Sequence, residues 1–312
     1  MRIAVCLTDN KPEPWVRGLQ AALPEAQIEV WTPGAPAFDH AVVWAPPQQL
    51  LDQQPGLRGL FNIGAGVDAL MALRLPPPTR VVRLDDAGMS VQMAEYVCHA
   101  LIRHFREFDV YEADAKAGRW SYRKPLNRQD FPVGIMGLGV LGERVARVAL
   151  QFEFPVNGWS RSPKIIEGVR GFAGEARFND FLAASRVLVN LLPLTEATRG
   201  ILNRDTLSRL HAGQAGGYLI NIARGAHLVE DDLIPLIDSG QLAGATLDVF
   251  QVEPLPADHP FWRHPKITVT PHASARTLRE ESIAQIAAKI RAVEAGADFE
   301  SLPGVVDPAR GY

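Results

Sequence analysis

Short runs of apolar residues, separated by polar or proline-rich stretches, recur through the first hundred residues of the chain. These runs are rich in Val and Ile, which favour strands, and several of the stretches between them are compatible with helices. Alternation of strands and helices is typical of an α/β fold with a parallel sheet. The predicted strands of this half read RIAVCL, IEVW, AVVW, LRGLFNIG and RVVRL.

Near-continuous apolar runs also mark the second half of the chain, where a new α/β series begins at Val133. Strands without an alternation of apolar and polar residues suit a sheet that helices cover on both faces. The predicted strands of this half read VGIMG, VNGWS, RVLVNLL, GYLINIA, ATLDVF and ITVTP.

Two longer helices are predicted from proline-free stretches. One runs from Gln92 to about Arg119, and an amphipathic pattern predicts the other from about Leu278 to Ala295. A length of 312 residues suggests about two domains. We place residues 1–98 in the first domain and 99–278 in the second. Residues 279–312 are predicted to complete the first domain, although the sequence leaves open which domain the final helix joins.

A glycine-rich turn follows the first predicted strand of the second half. Gly137, Gly139 and Gly142 have the spacing G-x-G-x-x-G, and a helix-like run follows them. In dinucleotide-binding turns the first glycine allows a tight bend, the second admits the pyrophosphate, and the third lets the helix pack on the strand. The helix N-terminus adds N–H groups that attract phosphate. We therefore predict a dinucleotide-binding turn here, which also includes Val140 and Leu141.

The acid that usually holds the ribose of NAD, about 20 residues beyond such a turn, is missing. The chain has Ser160, Arg161 and Ser162 at that place. A carboxylate would repel a 2′-phosphate, whereas a hydroxyl and a guanidinium can bind one. A solvated basic loop is the alternative interpretation. We predict that the cofactor is NADP, with NADPH preferred over NADH.

Charge and composition narrow the classes of partner. The net charge is −3 at pH 7, which argues against a nucleic-acid or membrane surface as the main partner. No run approaches the roughly 18 apolar residues of a membrane span. Cys6 and Cys98 lie far apart and form no C-x-x-C motif, so we predict two buried apolar residues, no disulfide and no metal site. These features predict a cytoplasmic protein.

Three ionisable residues follow the ends of predicted strands in the second half: Arg224, Glu253 and His272. Ligands of open α/β sheets bind at the carboxyl ends of strands. An arginine can bind a carboxylate, a histidine can donate a proton near neutral pH, and a glutamate can favour the charged form of that histidine. Taken singly, these residues would be a surface ion-pair partner, a loop carboxylate and a turn residue.

Four blocks of the chain resemble those of the D-isomer-specific 2-hydroxyacid dehydrogenase family, in order and at the family's spacing: GLGVLG, NIARG, LDVFQVEPLP and TPHAS. NIGAGVD and DDAGMSVQMAEY extend the resemblance over essentially the whole chain. The resemblance implies an α/β fold of two doubly wound parallel-sheet domains, a flavodoxin-like substrate domain and a Rossmann-type cofactor domain. Within the family, four further stretches resemble the reductases of glyoxylate and hydroxypyruvate: GWSRSPK, LVNLLPLT, HPFWRHP and ARGY.

The resemblance also implies a role for each candidate residue. His272 would protonate the substrate carbonyl, Glu253 would pair with His272, and Arg224 would hold the substrate carboxylate. The predicted substrate-binding residues are Trp44, Ala65, Gly66, Arg224 and His272. The predicted cofactor-binding residues are Gly137, Gly139, Val140, Leu141, Gly142, Ser160, Arg161, Ser162, Leu191, Leu192, Pro193, Ala223 and, on the nicotinamide side, Asp248.

These roles imply an NADPH-dependent reductase of a small 2-oxo acid, which converts glyoxylate to glycolate or hydroxypyruvate to D-glycerate. The family resemblance also implies a homodimer that forms through the cofactor domain. Two alternatives remain at this stage: a reductase of bulkier 2-oxo acids, and a dinucleotide-sensing regulatory protein on the same fold. The presence of Arg224, Glu253 and His272 together favours the enzyme.

Overall fold

The computed structural model describes residues 1–8, 11–211, 213 and 216–312. The chain divides into two compact units: residues 1–89 with 277–312, and residues 90–276. The final helix therefore belongs to the first unit. The sequence-based boundary after residue 98 falls inside a helix, Met89–Phe105, whereas the division falls at its N-terminal end. The helix belongs to the second unit because its buried residues, among them Val97 and Leu101, pack in the core of that unit.

The first unit is built on a five-stranded parallel sheet. Its strands are β1 (Arg2–Leu7), β2 (Gln27–Val30), β3 (His40–Trp44), β4 (Gly59–Asn62) and β5 (Arg80–Val82), and its helices are α1 (Glu13–Ala22), α2 (Gln48–Gln53), α3 (Asp68–Met71) and α10 (Arg279–Glu294). The strand order β2-β1-β3-β4-β5 is that of flavodoxin-like folds. Helix α10 packs on α1, where Gly18 leaves room for Ile283.

The second unit is built on a seven-stranded parallel sheet. Its strands are β6 (Val133–Met136), β7 (Val156–Ser160), β8 (Val169–Ala173), β9 (Val187–Asn190), β10 (Gly217–Asn221), β11 (Leu242–Leu247) and β12 (Ile267–Val269), and its helices are α4 (Met89–Phe105), α5 (Phe108–Lys116), α6 (Val140–Gln151), α7 (Phe178–Ala183), α8 (Arg204–Ser208) and α9 (Glu230–Asp238). The strand order β12-β11-β10-β9-β6-β7-β8 reverses at β6, as in Rossmann-type folds. The two sheets confirm the predicted fold class.

Two elements differ from the sequence-based prediction. The helix predicted from Gln92 to Arg119 is broken at Glu107, which has a left-handed backbone with φ of 53°. Buried positions stop after Phe105, and α5 beyond the break carries no buried residue, so no continuous apolar face holds the two segments in one helix. Strand β8 was not predicted, because this edge strand buries only one of its five side chains and lacks an apolar run.

Both cysteines are buried free thiols, as predicted. Burial raises the pKa of each thiol to about 11, so neither is a reactive thiolate near neutral pH. Among the described helices, none is both long and apolar enough to cross a membrane.

Candidate functional site

The turn between β6 and α6 shows a separate use for each of its three glycines. Gly137 has φ of 98°, a conformation that favours glycine. A Cβ on Gly139 would meet no atom within 4 Å, so the backbone faces open space there. A Cβ on Gly142 would lie 1.8 Å from the carbonyl oxygen of Gly137, so only glycine fits. Val140 is exposed and Leu141 is half-buried at the first turn of α6. The turn therefore has the shape of a cradle for a pyrophosphate.

The end of β7 carries hydroxyl and basic groups and no carboxylate. The Ser160 hydroxyl donates a hydrogen bond to the Ser162 carbonyl at 2.8 Å, and Arg161 is exposed. The Lys164 ammonium donates to the Leu138 carbonyl at 2.6 Å, which ties this loop to the glycine turn. Hydroxyl and basic side chains therefore lie beside the glycine turn, and groups of these kinds can bind a phosphate.

Two buried asparagines, which sequence reasoning missed, shape the loops after β9 and β10. The Asn190 amide donates to Asn221 Oδ1 at 3.0 Å, and Asn190 Oδ1 accepts from the N–H of Leu192 at 3.2 Å. The Asn221 amide donates to the Arg224 carbonyl at 3.2 Å. A polar residue that closes an otherwise apolar strand was the available signal. The paired side chains fix the loops that carry the predicted cofactor-binding residues Leu191, Leu192, Pro193 and Ala223.

Arg224 follows β10 and is half-buried. Its Nη1 donates to the Ala223 carbonyl at 2.8 Å. The positive charge of Arg224 adds to the lowering of the Glu253 pKa and opposes the raising of the His272 pKa. An anion such as a carboxylate would therefore be favoured near these three groups.

His272 lies in a tight turn after β12 and has a left-handed backbone with φ of 51°. This conformation costs a non-glycine residue roughly 1–2 kcal/mol. Asp248, which is fully buried, holds the turn in place. Its main-chain carbonyl accepts from the His272 N–H at 2.8 Å. Its carboxylate accepts from the N–H groups of Ala273 and Ser274, both at 2.8 Å. The predicted nicotinamide contact of Asp248 stays a prediction.

The side chains of His272 and Glu253 lie close together. The distance from His272 Nδ1 to Glu253 Oε2 is 2.7 Å, and Glu253 Oε1 accepts from the Phe250 N–H at 2.9 Å. The hydrogen bond that His272 donates to Glu253 raises the pKa of His272, and this outweighs burial, which lowers it. Burial alone would raise the pKa of Glu253, but hydrogen bonds from His272 and Phe250 outweigh it and the pKa is lowered. The pair thus favours imidazolium beside carboxylate.

The remaining predicted substrate-binding residues lie in the first unit. The buried Asn62 amide donates to the carbonyls of Gly64 and Gly66, at 3.0 and 2.8 Å, and so organises the loop that carries Ala65. The half-buried Trp44 ring lies against this loop, because a Cβ on Gly64 would be 2.5 Å from it. Sequence reasoning missed the role of Asn62.

Comparisons with known proteins point to one family. A family model described as "D-isomer specific 2-hydroxyacid dehydrogenase, NAD binding domain" matches residues 98–274. A glyoxylate/hydroxypyruvate reductase A from Serratia proteamaculans is 47% identical over 308 residues, which cover 96% of each chain. A reductase of the same name from Yersinia enterocolitica is 46% identical over 306 residues, again 96% of each.

Two solved structures are similar over nearly the full chain. One is an NADPH-dependent glyoxylate/hydroxypyruvate reductase from Sinorhizobium meliloti in complex with NADP and sulfate. It has a TM-score of 0.92 at 35% identity and covers 100% of this chain and 99% of that one. The other is a D-isomer specific 2-hydroxyacid dehydrogenase from Xanthobacter autotrophicus Py2 in complex with NADPH and MES. It has a TM-score of 0.91 at 38% identity and covers 99% of each chain.

Proposed function

Because the chain belongs to the D-isomer specific 2-hydroxyacid dehydrogenase family, we propose that it is an NADPH-dependent reductase of small 2-oxo acids. Its reactions are glyoxylate to glycolate and hydroxypyruvate to D-glycerate. The names of the two curated relatives support these substrates. The observation that carries the proposal is the His272–Glu253 pair at 2.7 Å, which keeps an imidazolium available beside the charge of Arg224.

The glycine turn and the end of β7 fit NADPH. Its pyrophosphate would lie at the open backbone of Gly139 and the N-terminus of α6. Its 2′-phosphate would be bound by Ser160 and Arg161, where a carboxylate is absent. The cofactors in the two similar solved structures, NADP and NADPH, support this choice.

The site residues supply the proton and bind the substrate carboxylate. Bound NADPH would supply a hydride to the carbonyl carbon of the substrate. His272 keeps one proton on Nδ1, shared with Glu253, and gives the proton on Nε2 to the carbonyl oxygen. Glu253 stabilises the imidazolium until that transfer. Arg224 binds the substrate carboxylate with its planar fork of donors and polarises the carbonyl.

We further propose that the chain works as a homodimer in the cytoplasm. Support for the dimer comes from the second unit, where α5 has no buried residue and large side chains stay exposed after it, among them Trp120 and Tyr122. Apolar surface of this kind often marks an interface. Two free, buried cysteines are consistent with a reducing compartment.

Loss of NADPH absorbance, measured with three 2-oxo acids, tests the proposed reaction. We expect oxidation of NADPH with glyoxylate and with hydroxypyruvate, and a much lower kcat/KM with the branched 2-oxoisocaproate. An equal or higher kcat/KM with 2-oxoisocaproate would indicate a reductase of bulkier acids. Binding of NADPH without its oxidation by any of the three would indicate a sensor and contradict the proposal.

Replacing Arg161 with alanine should raise the KM for NADPH about 10- to 100-fold, because a charge-assisted contact to the 2′-phosphate is lost. The KM for NADH should stay nearly unchanged, since NADH has no such phosphate. Arg209→Ala, directly after α8, is the control, because it removes the same charge from an exposed arginine elsewhere in the unit. Steady-state kinetics with both cofactors decide the matter: an equal loss for NADPH and NADH would mean that Arg161 does not bind the 2′-phosphate.

A further inference from the structure

Helix α4 holds both ends of the segment that carries His272. The Tyr96 hydroxyl lies 2.5 Å from Thr270 Oγ1, two residues before His272. The Gln92 side chain exchanges two hydrogen bonds with the main chain of Arg276, each 3.0 Å long. Gln92 and Tyr96 are four residues apart and therefore lie on the same face of α4. One helix face thus contacts the catalytic turn on both sides.

Tyr96, Thr270 and Asp248 form a chain of hydrogen bonds in which each hydroxyl donates toward Asp248. Thr270 Oγ1 lies 2.5 Å from Asp248 Oδ1, and a carboxylate can only accept, so the threonine proton is donated to Asp248. The oxygen of Thr270 must then accept from the Tyr96 hydroxyl. Burial raises the pKa of Tyr96 to about 12, so the phenol keeps its proton for this bond. The same Asp248 carboxylate accepts from the N–H groups of Ala273 and Ser274, directly after His272.

We propose that Tyr96 is a positioning residue for the proton donor, because it holds the left-handed turn at His272 through Thr270 and Asp248. The inference rests on the proposed function only in naming His272 as the donor. The backbone of His272 is costly and depends on the contacts around Asp248. A looser turn would lengthen the bond between His272 and Glu253. The charged groups that act on His272 are Glu253, Arg224 and Asp248, and none of them is removed when the Tyr96 hydroxyl is lost.

The second unit contains a matched pair of the same chemistry. The Tyr218 hydroxyl lies 2.8 Å from Thr246 Oγ1 between β10 and β11; this tyrosine–threonine pair is buried, whereas the Tyr96–Thr270 pair is half-buried. No hydrogen bond links Thr246 to Asp248 or to the turn of His272 in the described part of the chain. Tyr218→Phe therefore removes a comparable hydrogen bond without loosening that turn, and it is the control for Tyr96→Phe.

The decisive experiment combines two readouts on the full chain. The first is a histidine NMR titration of the cofactor-free protein, with the His272 resonance identified by its loss in His272→Asn. We expect a lower His272 pKa in Tyr96→Phe and in Thr270→Val than in the unaltered protein. Tyr218→Phe and Thr270→Ser, which keeps the hydroxyl, should leave it unchanged. The physical reason is that the hydrogen bond to Glu253 raises the His272 pKa, so a looser turn that weakens this bond should lower the pKa.

The second readout is the kcat for hydroxypyruvate at saturating NADPH. Loss of one hydrogen bond in the chain should lower kcat about 2- to 10-fold, with the KM for NADPH unchanged. Tyr96→Phe added to Thr270→Val should have no further effect, because both act through one chain.

An unchanged His272 pKa and kcat in Tyr96→Phe would overturn the proposal, as would equal changes in Tyr218→Phe. If Thr270→Val does not fold, Tyr96→Phe, which deletes a single oxygen, carries the test alone. If the unaltered protein oxidises no NADPH, the proposed function fails, while the NMR titration still decides whether Tyr96 acts on His272.

Discussion

Replacing His272 with alanine is expected to lower kcat/KM for hydroxypyruvate reduction about 10²- to 10⁴-fold, the usual cost of losing a positioned general acid. The imidazolium at this position is the group that the structure favours for proton donation, since its hydrogen bond to Glu253 raises its pKa. Binding of NADPH should be little affected, because the glycine turn and the end of β7 are unchanged. Stopped-flow or steady-state measurement of NADPH oxidation gives the size of the loss.

Two further variants separate proton donation from folding. His272→Asn keeps a side chain that tolerates the left-handed backbone, so it should lose activity as severely as His272→Ala while the turn remains. His264→Ala removes a second histidine that faces a carboxylate, Asp238, in the same unit and should retain activity. Near-normal activity in His272→Asn would show that another group supplies the proton.

Replacing Arg224 with alanine should cost about 10²- to 10³-fold in kcat/KM, which is typical of removing a donor that stabilises developing charge. The loss should occur at every pH at which the enzyme works, because the variant lacks the guanidinium that binds the substrate carboxylate. In the pH profile of the residual kcat/KM, the falling limb should move to a slightly higher pH than in the unaltered protein. The reason is that the charge of Arg224 lowers the pKa of His272, and its removal lets that pKa rise.

The role of Arg224 as a carboxylate anchor can be measured with a matched pair of aldehydes. Glyoxylate carries a carboxylate and glycolaldehyde does not. The unaltered enzyme should strongly prefer glyoxylate, and Arg224→Ala should lose most of this preference. Arg224→Lys keeps the charge but not the planar fork, so it should recover only part of the preference. A preference that survives in Arg224→Ala would assign carboxylate binding to other groups.

Much of the fold could be predicted because each unit repeats one rule: buried parallel strands are near-continuous apolar runs. The glycine turn was also predictable, because Gly137, Gly139 and Gly142 form a local pattern of residues close together in the sequence. Strand β8 was not predicted, because an edge strand with one buried side chain lacks a continuous apolar run. The break at Glu107 has no proline or glycine to signal it.

The candidate site was predictable in its ionisable residues and not in what holds them. Glu253 and His272 lie 19 residues apart, both close to strand ends, and their side chains are 2.7 Å from each other. The support for His272 comes from Tyr96, which lies 174 positions from its partner Thr270. Contacts over such distances depend on tertiary packing, which a single sequence does not display.

Glu253→Gln tests most directly the claim that a carboxylate keeps the proton donor charged. Reduction needs protonated His272, so kcat/KM should be high at low pH and fall as pH rises through the pKa of His272. Glu253 raises that pKa by its hydrogen bond and its charge, whereas burial and Arg224 lower it. Glutamine keeps the shape and can still accept from the Phe250 N–H, but the charge is gone.

The control is Glu230→Gln, because Glu230 also accepts a backbone N–H, from Gln251, and also faces a histidine, His259, at 3.6 Å. The measurement is the pH profile of kcat/KM for NADPH-linked hydroxypyruvate reduction, under conditions where chemistry limits the rate. We predict that the falling limb moves to lower pH in Glu253→Gln, with activity at acidic pH partly retained, and stays in place in Glu230→Gln. A falling limb that does not move in Glu253→Gln would contradict the assignment of Glu253 and His272 as the acid pair.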